Sequence, residues 1–78
     1  MKEAELRLLF DNGIFKAATI CRHPMADSWM LKFDRKKGLP VFMDSQRISP
    51  RAFKTLDAAF QAAHDIGFQE VAVVRGYG

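Results

Sequence analysis

The feature that most constrains this chain is that its 78 residues contain a single cysteine, Cys21. No internal disulfide can form, and a small domain without such staples must hold itself together with one apolar core. A chain of this length buries only about 60% of the surface that its unfolded form exposes, so that core has little to spare. The composition permits one: 49% of residues are hydrophobic and 27% charged, as in globular proteins and unlike disordered ones. The interior is too small to divide between two cores, and one domain over residues 1 to 78 is expected. Lack of disulfides points to a reducing compartment. The N-terminal MKEAELRLLF lacks the apolar core of a signal peptide, and no apolar run approaches a membrane span. The expectation is a soluble, cytoplasmic protein with no membrane partner.

Glycine, proline and short polar clusters divide the chain into six segments. In residues 3 to 10, Leu6, Leu9 and Phe10 recur at helical spacing behind Glu3 and Glu5, and Gly13 supplies a left-handed stop. Asn12-Gly13 could instead close a hairpin across residues 6 to 20. The succession Leu8, Leu9, Phe10 does not alternate as a half-buried strand should, which favours the helix, but both readings remain open. Residues 15 to 22, FKAATICR, have strand composition and end near Pro24. Residues 28 to 33 alternate, Trp29, Leu31 and Phe33 against Ser28, Met30 and Lys32. After a polar turn, LPVFM at residues 39 to 43 completes a hairpin. Thr55 can cap a helix over residues 56 to 66, ended by Gly67, with Leu56, Ala59, Phe60, Ala63 and Ile66 along one stripe. Residues 70 to 74, EVAVV, form a short strand, and residues 76 to 78 a flexible tail. The fold class is therefore α+β, in the order α-β-β-β-α-β, with a mostly antiparallel sheet packed against helix. Trp29, Leu31, Phe33 and Phe42 are the expected core facing the second helix.

Charge is unevenly placed. Residues 32 to 54 hold seven bases, Lys32, Arg35, Lys36, Lys37, Arg47, Arg51 and Lys54, against Asp34 and Asp44, a balance of +5. The flanks hold five bases and seven acids, a balance of −2, and the two together give the formal +3. A solvated hairpin tip accounts for such a cluster as readily as a binding site does. The sharper expectation is that the hairpin tip and the loop before the second helix converge on a phosphate backbone.

A second candidate surface follows from the hairpin. If Asp34 and Leu39 face one another across the turn, the sheet face opposite Trp29 and Phe33 displays Met30, Val41 and Met43 beside Lys32. A face that reads base edges wants donors such as Arg and Asn, whereas an apolar face wants an apolar cover. That cover is either the first helix, through Leu6, Leu9 and Phe10, or a second protein, including another copy of the chain.

Other chemistry is poorly supplied. Cys21 and His23 would share a face of an extended strand, but no orienting carboxylate or oxyanion donor accompanies them. His64 lies on a helix flank, and one Cys with two scattered His falls short of a zinc set. The segments DNG, KKG and RGYG match neither nucleotide-loop pattern. No catalytic residue, metal, cofactor or small-molecule substrate is expected, and the chain reads as non-enzymatic.

Three groups of residues resemble a family of small bacterial proteins of plasmids and integrative elements, labelled partition- or replication-associated. They are Phe10, Asp11 and Gly13; Pro24, Met25, Trp29 and Leu31; and Phe53, Lys54, Leu56 and Asp57 with Ile66, Gly67 and Phe68. The likeness spans nearly the whole chain except residues 35 to 51. It rests on core and turn positions, so it implies a fold and a genomic setting near DNA segregation or replication, and assigns no binding residue. Two functions are thus expected. One is an accessory protein of a mobile element that associates with DNA, or with a DNA-bound protein, through the basic segments. The other is an interaction module, such as a homodimer, built on Met30, Val41 and Met43.

Overall fold

The computed structural model describes residues 1–24, 27–44 and 50–77. Its elements run α1 (Glu3–Asp11), β1 (Phe15–Arg22), β2 (Trp29–Arg35), β3 (Val41–Phe42), α2 (Leu56–Ile66) and β4 (Ala72–Tyr77), so the expected α+β order holds and residues 6 to 20 are helix plus strand. The four strands form one mixed sheet in the order β3-β2-β1-β4. β1, β2 and β3 are antiparallel neighbours, and β4 runs parallel to β1 at the far edge. β4 starts two residues later than the sequence suggested and continues through Arg75 and Gly76 to Tyr77, which pairs with Arg22. The segment expected to be a tail is thus strand as far as Tyr77.

Both helices lie on one face of the sheet. Leu6 of α1 and Ala59, Ala62, Ala63 and Ile66 of α2 meet Phe15, Ala18, Ile20, Leu31 and Phe33 in the core. The small alanine side chains let α2 approach the sheet closely. Phe60, expected on the same stripe, is 38% exposed, and Ala62 takes its place inward. Phe68, just past α2, extends the core with a ring cluster: its centroid lies 5.5 Å from Phe33, 6.0 Å from Phe15 and 4.8 Å from Phe10. Gly67 allows that turn, at φ +137°.

α2 has a side-chain N-cap, and at the start of α1 a first-turn side chain reaches back to the preceding backbone. Thr55 accepts a hydrogen bond from the Ala58 N–H at 3.1 Å, and Glu5 accepts from the Lys2 N–H at 3.4 Å. Replacing an N-cap threonine by alanine leaves a helix N–H without its partner. Thr55→Ala is expected to cost about 1 kcal/mol in urea unfolding while leaving the unfolding cooperativity unchanged.

The hairpin register differs from the expected one by one residue. Lys32 pairs with Phe42 and Phe33 with Val41, and the Met43 N–H donates to the Leu31 carbonyl at 3.3 Å. Because side chains alternate along a strand, that single step exchanges the two faces of β3. Val41 and Met43 join Leu31 and Phe33 in the core, Met43 being 2% exposed. Phe42, expected in the core, lies on the opposite face beside Lys32. Met30 does face away from the helices, paired with Cys21, yet is only 4% exposed. The proposed Met30, Val41 and Met43 surface therefore does not exist, and α1 packs on the other side of the sheet.

Candidate nucleic-acid interface

Six of the seven central cations lie among the described residues; Arg47 lies outside them, as does Met25 of the family likeness. The sheet separates the six. Phe15 pairs with Arg35, which places the β2–β3 turn at the end of the sheet where β1 begins. β3 then returns the chain, and Phe53 bridges to Trp29 at the other end of β2 through hydrogen bonds of 2.8 Å in both directions. A strand of seven residues spans about 20 Å. Arg51 and Lys54 consequently lie at one end and Arg35, Lys36 and Lys37 at the other, so the expected single patch is not formed. The reason is topological: two loops separated by one strand emerge at opposite ends of that strand. The sequence already held this signal in its element order. Lys32 stands midway, on the helix-free face between Thr19 and Phe42.

The hairpin tip is braced from within. Arg35 is turned back on the loop, its Nε donating to the Leu39 carbonyl at 2.6 Å. Its guanidinium covers Gly38, lying 2.8 Å from where a Cβ would stand, and Gly38 has φ +97°. The conformation favours glycine there, while the Arg35 side chain, being long and flexible, could move aside for a Cβ. The Lys36 N–H donates to the Ile14 carbonyl at 3.0 Å, tying the tip to the α1–β1 connection. What the tip presents to solvent is Lys36, Lys37 and Leu39, the last 78% exposed. Lys16, next to the Phe15–Arg35 pair, is also exposed and adds a fourth cation to this end. It was missed because it is distant in sequence; strand pairing brings it in. Among the described residues the ion pairs are the Met1 N-terminus with Asp44 and Arg22 with Asp27, so no carboxylate there holds Lys16, Lys36 or Lys37.

At the other end, the Arg51 guanidinium lies over the Phe53 ring, 4.7 Å from its centroid, and Arg22 lies 4.9 Å from the Trp29 ring. As Trp29 and Phe53 are bridged, two arginines flank neighbouring aromatic residues, an arrangement that stacks and orients the guanidinium planes. Lys54 is exposed immediately before the α2 cap.

Cys21 and His23 do share the helix-free face, and both are buried, at 0% and 3% exposure. The His23 Nε2 stands 2.7 Å from the Pro50 carbonyl. A carbonyl only accepts, so Nε2 carries the proton and the ring clips the connection before α2 onto the β1–β2 turn. That connection thereby reaches across the turn end of the helix-free face. Ser28 Oγ nearby is buried without a hydrogen-bond partner. His64 is exposed. No group of three or more potential metal-ligating side chains occurs among the described residues, and no helix there is long and apolar enough to cross a membrane.

An open groove of about 910 Å³ lies where β1 and β4 splay apart, with Phe10, Phe15 and Phe68 at its base and Lys16 and Glu70 at its rim. Phe15 and Phe68 are themselves buried, so the groove offers mainly backbone and rim to a visitor. Comparison of the chain with protein-family models, with curated proteins and with solved structures finds no match.

Proposed function

We propose that this protein is a non-enzymatic accessory protein of a mobile genetic element that associates with DNA, or with a DNA-bound partner, through the basic hairpin tip. The observation that carries this reading is the tip itself: Lys36 and Lys37 exposed, joined by Lys16, and without a carboxylate partner among the described residues. The Arg35 and Ile14 contacts hold the loop in one shape, which lowers the ordering cost of binding. Arg51 and Lys54 form a second foothold about 20 Å away. The setting close to DNA is part of the proposal and rests on the resemblance of core and turn residues alone. Base edges are not read in this proposal, since lysines on a loop act on phosphates and position a protein without specifying a sequence.

The two footholds give the proposal a quantitative test, because each neutralised phosphate contributes about −0.9 to the salt slope on duplex DNA. If only Lys36 and Lys37 engage, a fourfold rise in salt weakens binding about tenfold; if Arg51 and Lys54 also engage, about 100-fold. Titration of labelled duplex DNA at about 50 and 200 mM salt separates these outcomes. The double variant Lys36→Ala, Lys37→Ala is expected to flatten the slope by about two units. Absence of binding at the lower salt, or curves identical for wild type and variant, removes the proposal.

A further inference from the structure

The tip of the β2–β3 hairpin holds a side chain that phosphate contact leaves unused. Residues 36 to 40 are all exposed, and Leu39, at 78%, is the most exposed large hydrophobic among the described residues. Its backbone is nonetheless fixed. Leu39 precedes Pro40, whose ring confines the residue before it to extended conformations, and the Leu39 carbonyl accepts from Arg35 Nε at 2.6 Å. The bond from the Lys36 N–H to the Ile14 carbonyl anchors the other limb of the loop. The leucine is thus held out in water on a constrained loop rather than laid back on the sheet, with Lys36 and Lys37 exposed two and three residues before it. Pro40 carries no N–H that would need a partner in an apolar contact.

We infer that Leu39 is a wedge: with the tip lysines on the phosphates, its side chain enters the minor groove of duplex DNA and inserts between two base pairs, unstacking that step and kinking the duplex. The inference rests on the tip being a DNA contact and adds a mechanical consequence to it. An apolar side chain flanked by cations matches an opened base step, where the bases bury the leucine while the phosphates beside them meet ammonium groups. An anionic membrane is the other surface with mixed apolar and acidic character, and it fits less well. One leucine is far smaller than a single acyl chain, which itself anchors a protein only marginally, and Ile14, bonded to the tip through Lys36, is less than half as exposed as Leu39. Burying one leucine recovers roughly what parting one base step costs, so insertion changes the shape of the DNA more than the affinity. The cost depends on sequence: pyrimidine–purine steps such as TA open readily, whereas A-tracts are stiff. A preference for deformable DNA therefore arises without any base edge being read.

Two end-labelled duplexes of about 20 base pairs test the inference, one with TA steps at its middle and the other an A-tract of equal length and charge. Anisotropy reads binding, and energy transfer between the ends reads bending. Wild type is expected to bind the TA duplex about fivefold more tightly than the A-tract and to bring its ends closer together. Leu39→Ser should bind both duplexes alike, with the wild-type salt slope, and leave the TA duplex straight. Leu39→Phe should keep the bend, since an aromatic wedge also parts a base step. Leu39 is largely exposed, so both variants should retain the wild-type far-UV circular dichroism and melting temperature. Binding by wild type without a bend, or an equal bend from Leu39→Ser, overturns the wedge and leaves the phosphate contact standing. Absence of binding to either duplex overturns that contact and the wedge with it. Binding to vesicles of phosphatidylserine and phosphatidylcholine that depends on Leu39, with DNA left straight, assigns the tip to a membrane and likewise overturns the inference.

Discussion

Gly67→Ala is expected to destabilise the protein by about 2 to 4 kcal/mol, through two separate causes. Gly67 has φ +137°, a conformation that residues with a Cβ rarely adopt and that costs on the order of 1 to 3 kcal/mol. The added Cβ would also stand 2.4 Å from Phe10 Cε1. Phe10 must then leave its edge-on contact with Phe68, losing about 1 kcal/mol and loosening α1 from the end of α2. In a domain whose whole stability is on the order of 4 to 12 kcal/mol, this is a large fraction. Thermal unfolding should move down by roughly 10 °C or more. A melting temperature within a few degrees of wild type would mean that α2 ends differently from the geometry described.

The second large effect concerns the hairpin register. Met43→Thr is expected to cost about 3 kcal/mol, because it opens space beside Leu31 and buries a hydroxyl. Phe42→Thr, one residue earlier, should cost only about 1 kcal/mol, since Phe42 is half-exposed on the helix-free face and threonine suits a strand. The alternative register reverses this order. Urea unfolding of the two variants side by side therefore decides which residue faces the core, and a larger loss for Phe42→Thr would refute the pairing of Lys32 with Phe42.

Much of the fold could be read before the coordinates. β1 occupies residues 15 to 22 as its composition indicated, α2 runs from a threonine cap to a glycine stop, and α1 ends at Asn12-Gly13. Those features depend on neighbours within a turn or two. β3 was legible as a strand but not in register, because Leu39, Val41 and Met43 on one side and Phe42 on the other are both apolar. Alternation decides a face only when one side is polar. Arg35 folding back onto Leu39 settles the length of the turn, and that contact has no local signature.

The basic residues show the same division. That Lys36 and Lys37 would be exposed near a turn followed from the sequence, as did the concentration of charge in the middle of the chain. Which cations stand together did not follow from their spacing. Lys16 joins the tip through the pairing of Phe15 with Arg35, and Arg22 joins Arg51 through the bridge between Trp29 and Phe53.

By itself, then, the sequence determined the kind and order of the elements, the need for a single apolar core and the identity of its exposed cations, because each is set by local conformational preference and apolar periodicity. The tertiary structure alone decided the side of the sheet on which Val41, Phe42 and Met43 lie, the separation of the cations to two ends, and the place of β4 at an edge of the sheet, parallel to β1. These are set by strand register and by which surfaces the two helices cover, and both depend on contacts between residues far apart in the chain.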